Sequence, residues 1–282
     1  MRKGLILLWG ILFLGLIIML SLGCTGGGSS DSGTETNLAG ESLLEEIIKR
    51  GELRVGMSTF VPWAMNDKSG NLIGFEIDVA TRLAEDMGVK AVFIPTKWSG
   101  IIPALLTGKF DVIIGGMGIR PERNLKVNFS IPYDYTGMSL VAHKEKALGF
   151  GSLEDFNRPE VVITARIGTT AAEAVKKHLS QAQIRLFDDE AQAIQELLLG
   201  RAHGMVASAP LPTYLVLENP DTLFQPFSGT FTKEPIGFAL PKGDPDLLNF
   251  FNSWITVVEA EGWLAERKHY WFESQDWKGL VQ

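Results

Sequence analysis

The sequence predicts an α/β protein of two lobes joined by two crossing strands, on three observations. Short apolar runs with strand character alternate with helical stretches closed by glycine. The alternation occurs twice along the chain, and one extended apolar run leaves the first series while another returns to it. Such alternation implies a mostly parallel sheet covered by helices on both faces.

In chain order, Ser42 and Glu45 form a capping box ahead of Leu43, Leu44, Ile47 and Ile48, and Gly51 ends that helix. A strand follows over Leu53 to Met57, a helix over Phe75 to Met87 closed by Gly88, and a strand over Ala91 to Ile94. A helix over Gly100 to Thr107 closed by Gly108 and a strand over Asp111 to Ile114 complete the first series. Met138 to Ala142 is the extended run that leaves it. The second series is a strand over Val161 to Ile167, a helix over Ala171 to Leu179, a strand over Ile184 to Phe187, a helix over Ala191 to Leu199 and a strand over Gly204 to Ala207. Ile236 to Leu240 returns, and helices over Pro245 to Glu261 and Leu264 to Trp271 follow, with Trp254, Trp263, Trp271 and Trp277 expected in packing. The expected division is 42–139 and 236–282 for lobe one, with 140–235 as lobe two.

The N-terminus reads as an export signal. Arg2 and Lys3 precede an apolar run from Leu5 to Leu20, and Ser21-Leu22-Gly23-Cys24 leads into a Gly/Ser-rich stretch. Residues 1–23 are expected as signal peptide and 24–41 as a polar tether. Cys24 is the sole cysteine, so an internal disulfide is excluded. Lys and Arg number 26 against 33 Asp and Glu, a net charge of −7, which argues against nucleic acid as a partner. No metal-ligand spacing, P-loop or nucleophile elbow occurs, so neither a cofactor nor a metal is expected. His143, His178, His203 and His269 are scattered and expected at the surface.

Between Asp111 and Tyr135 a buried-strand run enters Gly115-Gly116-Met117-Gly118, with Arg123 just beyond and Phe129-Ser-Ile-Pro-Tyr133 after it. A guanidinium fork beside free backbone N–H groups suits a carboxylate. In the second series the strand ending at Ile167 enters Gly168-Thr169-Thr170 and a helix, a place where N–H groups meet anions. Thr169 and Thr170 also suit simple helix caps. From about Leu53 to Trp271 the chain resembles the extracytoplasmic amino-acid-binding proteins of ABC importers, solute-binding family 3, with the type II periplasmic-binding-protein fold. The Ser21-to-Cys24 stretch resembles a bacterial lipoprotein box, with Cys24 the lipidated residue.

The resemblance implies a hinge that closes the lobes on a small amino acid or carboxylate, delivery to an ABC permease, a monomer, and an extracytoplasmic location at a membrane. It implies that Arg123, the backbone N–H of Gly118 and Thr169 meet the ligand carboxylate, with Gly116, Thr170 and Ser208 also in the ligand site, and that Phe60 and Trp63 flank the ligand side chain, with Trp98 a further candidate. Gly118 and Ser208 stand where the family usually places a hydroxyl and an aspartate for the ligand ammonium, and Arg120 replaces a usual threonine. Either another acid, Glu76, Asp134 or Asp188, takes that role, or the ligand has no α-amino group. An enzymatic alternative comes from Phe-Ser-Ile-Pro-Tyr and the Trp254 to Trp271 segment, which also look like cyclohexadienyl dehydratases. Those use a glutamate after the lobe-two strand, where this chain has Ser208-Ala-Pro-Leu-Pro-Thr213.

Overall fold

The computed structural model describes residues 42–281. The expected signal peptide, Cys24 and the tether lie outside the described residues.

The first helix, Leu43–Arg50, begins where Ser42 Oγ accepts from the Leu44 N–H and ends at Gly51, whose left-handed backbone takes two carbonyls of the last turn. Strand Glu52–Met57 then runs parallel to Lys90–Pro95 on one side and to Val112–Ile113 on the other. Ala239–Leu240 and Asn128–Phe129 complete this five-stranded sheet, with Ala239–Leu240 antiparallel to both its neighbours. Asp111 locks the centre: its fully buried carboxylate accepts from the Arg54 N–H and forms ion pairs with the Arg50 and Arg54 guanidiniums.

The second sheet has the same plan. Val162–Arg166 lies parallel between Gln183–Phe187 and Gly204–Ser208, and Met138–His143 inserts antiparallel between Gly204–Ser208 and the edge strand Leu223–Phe224. Each sheet is therefore mostly parallel, as expected: four of its five strands share one direction, and the strand that enters from or returns to the other lobe runs against them.

The crossing, by contrast, differs from expectation. The ribbon between lobes is Asp134–Thr136 paired antiparallel with Glu234–Ile236. Met138–His143, buried along its whole length, already belongs to the second sheet. His143, expected at the surface, is buried at the end of that strand. Helix Leu211–Glu218 arises where no element was expected, since Pro210 and Pro212 sit at its start, where a missing N–H costs nothing.

The C-terminal helices Pro245–Ala260 and Trp263–Lys268 return to lobe one, where Phe251, Trp254, Trp271 and Trp277 join Phe75, Leu83, Tyr133 and Phe238 in one core. Burial of each such phenylalanine contributes about 1.5–3 kcal/mol. Trp254 and Trp271 also direct their indole N–H groups to Asp86 and Asp78 on helix Phe75–Asp86, at 2.8 and 2.6 Å.

Gly74, at the start of that helix, supports the loop beside the cleft. Its φ is +134°, and a Cβ there would lie 2.3 Å from the Trp63 carbonyl oxygen. Gly70 also has a positive φ, +85°, but nothing lies within 4 Å of its Cβ position. Gly74→Ala should therefore cost about 3 kcal/mol or more, against about 1 kcal/mol for Gly70→Ala. Denaturant midpoints of the two variants measure the difference, and equal losses would show that the close contact relaxes freely.

Candidate functional site

The strand ends of both lobes face one cavity. Phe60, Trp98, Gly116, Gly118 and Arg123 line it from lobe one, and Thr169, Thr170 and Ser208 from lobe two. It spans about 410 Å³ of non-atom space, solvent at its mouth included.

Arg123 stands on the single turn Pro121–Asn124, with Arg120 ahead of it in extended backbone. Its Nη1 donates to the Gly118 carbonyl at 2.9 Å and its Nη2 crosses to the Gly168 carbonyl at 3.1 Å. Burial, aided by Arg120, brings its pKa down to about 10, so it carries its charge at neutral pH. Trp98 Nε1 donates to the same Gly168 carbonyl at 3.1 Å. Thr169 caps helix Thr170–His178: its Oγ1 accepts from the Ala172 N–H and donates to the Arg166 carbonyl at 2.6 Å. Thr170 is buried beside Gly118, its methyl 3.3 Å from where a Gly118 Cβ would stand.

The aromatic loop folds more tightly than its sequence indicates. Phe60 and Ala64 exchange both backbone hydrogen bonds, at 2.8 and 2.9 Å, which turns Trp63 inward. Trp63 is 1% exposed, stacks on Phe60 at 5.5 Å and 17°, meets Phe75 edge-on, and donates to the Ala209 carbonyl at 3.3 Å. Phe60 thus forms the wall and Trp63 its backing. Gly116, with φ +67°, passes so close that a Cβ would lie 3.3 Å from both rings.

Two charged residues on the wall were not singled out from sequence: Arg166 and Glu190. Arg166 ends strand Val162–Arg166 and is only 4% exposed, with Nε 3.1 Å from Glu190 Oε2. Burial lowers the Arg166 pKa and raises that of Glu190, and each charge counters the other's shift. An arginine directly after the apolar run Val161-Val-Ile-Thr-Ala165, two residues before Gly168-Thr-Thr, was the available signal.

The three acids proposed for an ammonium lie elsewhere. Glu76 is fully buried, with the Tyr133 hydroxyl 2.8 Å from both its oxygens. Burial pushes its pKa to about 8, although hydrogen bonds from Tyr133 and the Gly116 N–H oppose the rise. Asp134 pairs with Lys268, and Asp188 with Lys97 and the Ser99 hydroxyl.

Comparison with known proteins matches residues 53–274 to the bacterial extracellular solute-binding proteins, family 3. The L-cystine-binding protein TcyJ of Escherichia coli is 31% identical over 84% of this chain and 88% of its own. The cyclohexadienyl dehydratase of Pseudomonas aeruginosa is 28% identical over 83% of this chain and 88% of its own. Among solved structures, an ancestral amino-acid-binding protein described as a precursor of cyclohexadienyl dehydratase is 43% identical with a TM-score of 0.74, covering 82% of this chain and all (100%) of that one. The putative ABC-transporter binding component of Wolinella succinogenes, complexed with lysine, is 39% identical with a TM-score of 0.76, over 82% and 99% of the two chains.

Glu76 makes stability depend on pH. The fold keeps a proton that the unfolded chain releases above its ordinary pKa of 4.5, so unfolding releases a proton until about pH 8. The Glu76 contribution is complete below pH 4.5 and declines as pH rises through 8. Denaturant midpoints at pH 5 and pH 8 should fall more for the wild type than for Glu76→Gln; equal falls would mean that Glu76 is ionised in the fold.

Proposed function

Because the chain belongs to the bacterial extracellular solute-binding proteins of family 3, we propose that it is a lipid-anchored extracytoplasmic protein that captures an amino acid or related small carboxylate by hinge closure and delivers it to an ABC permease. The observation that carries this reading is Arg123, a charged fork that reaches across the cleft from the Gly118 carbonyl to the Gly168 carbonyl. A ligand carboxylate between those points takes the fork in two parallel charge-assisted bonds, a stronger interaction than the carbonyl contacts it replaces. Gly118, Thr169 and Thr170 add backbone N–H groups beside it, and Gly116, whose own N–H is held by Glu76, leaves room by its lack of a side chain. Phe60 and Trp98 supply aromatic walls, and Ser208 faces the remaining side. Arg123→Ala should weaken ligand binding by about 2–5 kcal/mol with a much smaller change in stability. Calorimetry with a ligand recovered from the purified protein tests this, and unchanged affinity would move the site elsewhere.

The anchor rests on the lone Cys24 between an apolar run and a polar tether. One lipid-modified residue then holds the protein at the membrane, whereas no helix of the described residues is long and apolar enough to cross one. Cys24→Ala should release the protein from the membrane fraction or leave its signal attached, and mass spectrometry of an unmodified Cys24 in the membrane-held mature form would refute the anchor.

One observation favours a second reading, a cyclohexadienyl dehydratase. Glu190 is a buried acid on the cavity wall with a raised pKa, the character required of a general acid. Incubation of the purified protein with prephenate and arogenate, followed by an assay for phenylpyruvate and phenylalanine, separates the two. Turnover lost in Glu190→Gln would support the enzyme, and its absence the binding protein.

A further inference from the structure

We infer that Arg166 sets the specificity of the cavity, so that it selects a ligand with a second anionic end, the acidic amino acids being the class that fits. This rests on the reading of the cavity as the ligand site. The Arg166 guanidinium lies 5.4 Å from the Phe60 ring centre and 5.1 Å from that of Trp98. Both rings belong to lobe one and Arg166 to lobe two, so the protein places its own cation in the aromatic slot between the lobes. That slot is the favourable place for a cation in this cavity. A ligand ammonium or guanidinium directed there meets like charge at short range in a water-poor site.

The fork is held but not consumed. Nη1 donates to Ser58 Oγ at 3.2 Å, and Glu190 lies near Nε without aligning with its N–H, which is buried and has no hydrogen-bond partner. A guanidinium has five N–H donors, and a buried one left short of acceptors is costly. A ligand carboxylate supplies the missing acceptors, with a geometry that matches the fork.

Charge balance points the same way. Among the residues that line the cavity, Arg123 and Arg166 are cationic and Glu190 is the one acid. Their sum is one positive charge. An acidic amino acid brings two carboxylates and one ammonium, hence one net negative charge, and leaves the closed site neutral. A neutral amino acid leaves one charge uncompensated and a cationic one leaves two, each expensive away from water. In this arrangement Arg123 takes the α-carboxylate, Arg166 the distal one, and Glu190 is the acid within the wall for the ammonium.

Calorimetric titration of the purified protein with L-glutamate, L-aspartate, L-glutamine, L-lysine and L-arginine tests the assignment. Glutamate or aspartate should bind at least a hundredfold more tightly than lysine or arginine. Arg166→Gln should lower that affinity at least tenfold. Since it leaves Glu190 without its partner, the double variant Arg166→Met with Glu190→Gln removes both charges together, and it should lose the preference for acids while retaining a wild-type melting temperature. Lysine or arginine binding as tightly as glutamate, no binding by either acid, or an unaltered preference in both variants would each overturn the inference. Arg123→Ala distinguishes the two levels: if it abolishes binding of whichever compound the wild type takes, the site stands even where the role of Arg166 fails, and if it changes nothing the site itself is misplaced.

Discussion

The carbonyl oxygen of Gly168 receives two donors from the opposite lobe, the indole of Trp98 and the guanidinium of Arg123, and the shape of the cleft depends on that convergence. The carbonyl lies between the end of strand Val162–Arg166 and the start of helix Thr170–His178, so it is positioned by one lobe's sheet and capped helix. The donors are positioned by the other lobe, one at the turn beginning at Trp98 and one on the turn Pro121–Asn124. The Trp98 bond ties one wall of the cavity to the other, while Arg123 is the donor that a ligand carboxylate takes over in the proposed binding. Ser58 with Arg166 and Trp63 with Ala209 repeat the principle on either side.

The buried polar groups around the cleft are arranged so that charge is concentrated at its walls and absent from its floor. Glu76 lies beneath Gly116 and holds its proton at neutral pH, so the floor adds no negative field to oppose Arg123. Asp111, farther from the cleft, is ionic but neutralised by two arginines that remain one-third exposed. Arg166 and Glu190 are the exception, a close pair at the wall. A buried pair of this kind contributes little to stability compared with apolar residues of the same size. Its placement therefore makes better sense as selection than as reinforcement.

Much of this was legible in the sequence, and the failures share a cause. Arg123, Gly118, Thr169 and Phe60 were expected at the cleft because each lies in a segment that follows a strand and the family resemblance points to the same segments, and all four line the cavity. Trp63 was assigned to the ligand because it shares a loop with Phe60. Its inward turn depends on the Phe60–Ala64 pairing and on Phe75 and Phe272 behind it, contacts remote in sequence. Arg166 and Glu190 were passed over because a charged residue beside a strand or at a helix start usually faces water, and only the stacking of two lobes makes these two internal. The fold itself was misread only where elements are short or begin with proline: the three-residue crossing strands are too brief for a period-two pattern, and Pro210 and Pro212 disguise a helix start as a loop.

Those three-residue strands have a mechanical meaning. Asp134–Thr136 and Glu234–Ile236 run side by side, and Pro235 at the centre of one contributes no N–H to the ladder. Two tethers side by side define an axis, whereas a single tether would define only a pivot. Rotation about the axis needs only small φ/ψ changes in both strands, whereas slide of one past the other would break their shared ladder. In the proposed hinge closure the cleft then has in effect one soft degree of freedom, and each closing stroke returns Trp98 and Gly168 to the same mutual positions. The rims of the two lobes, carried along the same arc, approach along a single repeatable path, so a docking partner that touches both rims can register the stroke as a change in one distance.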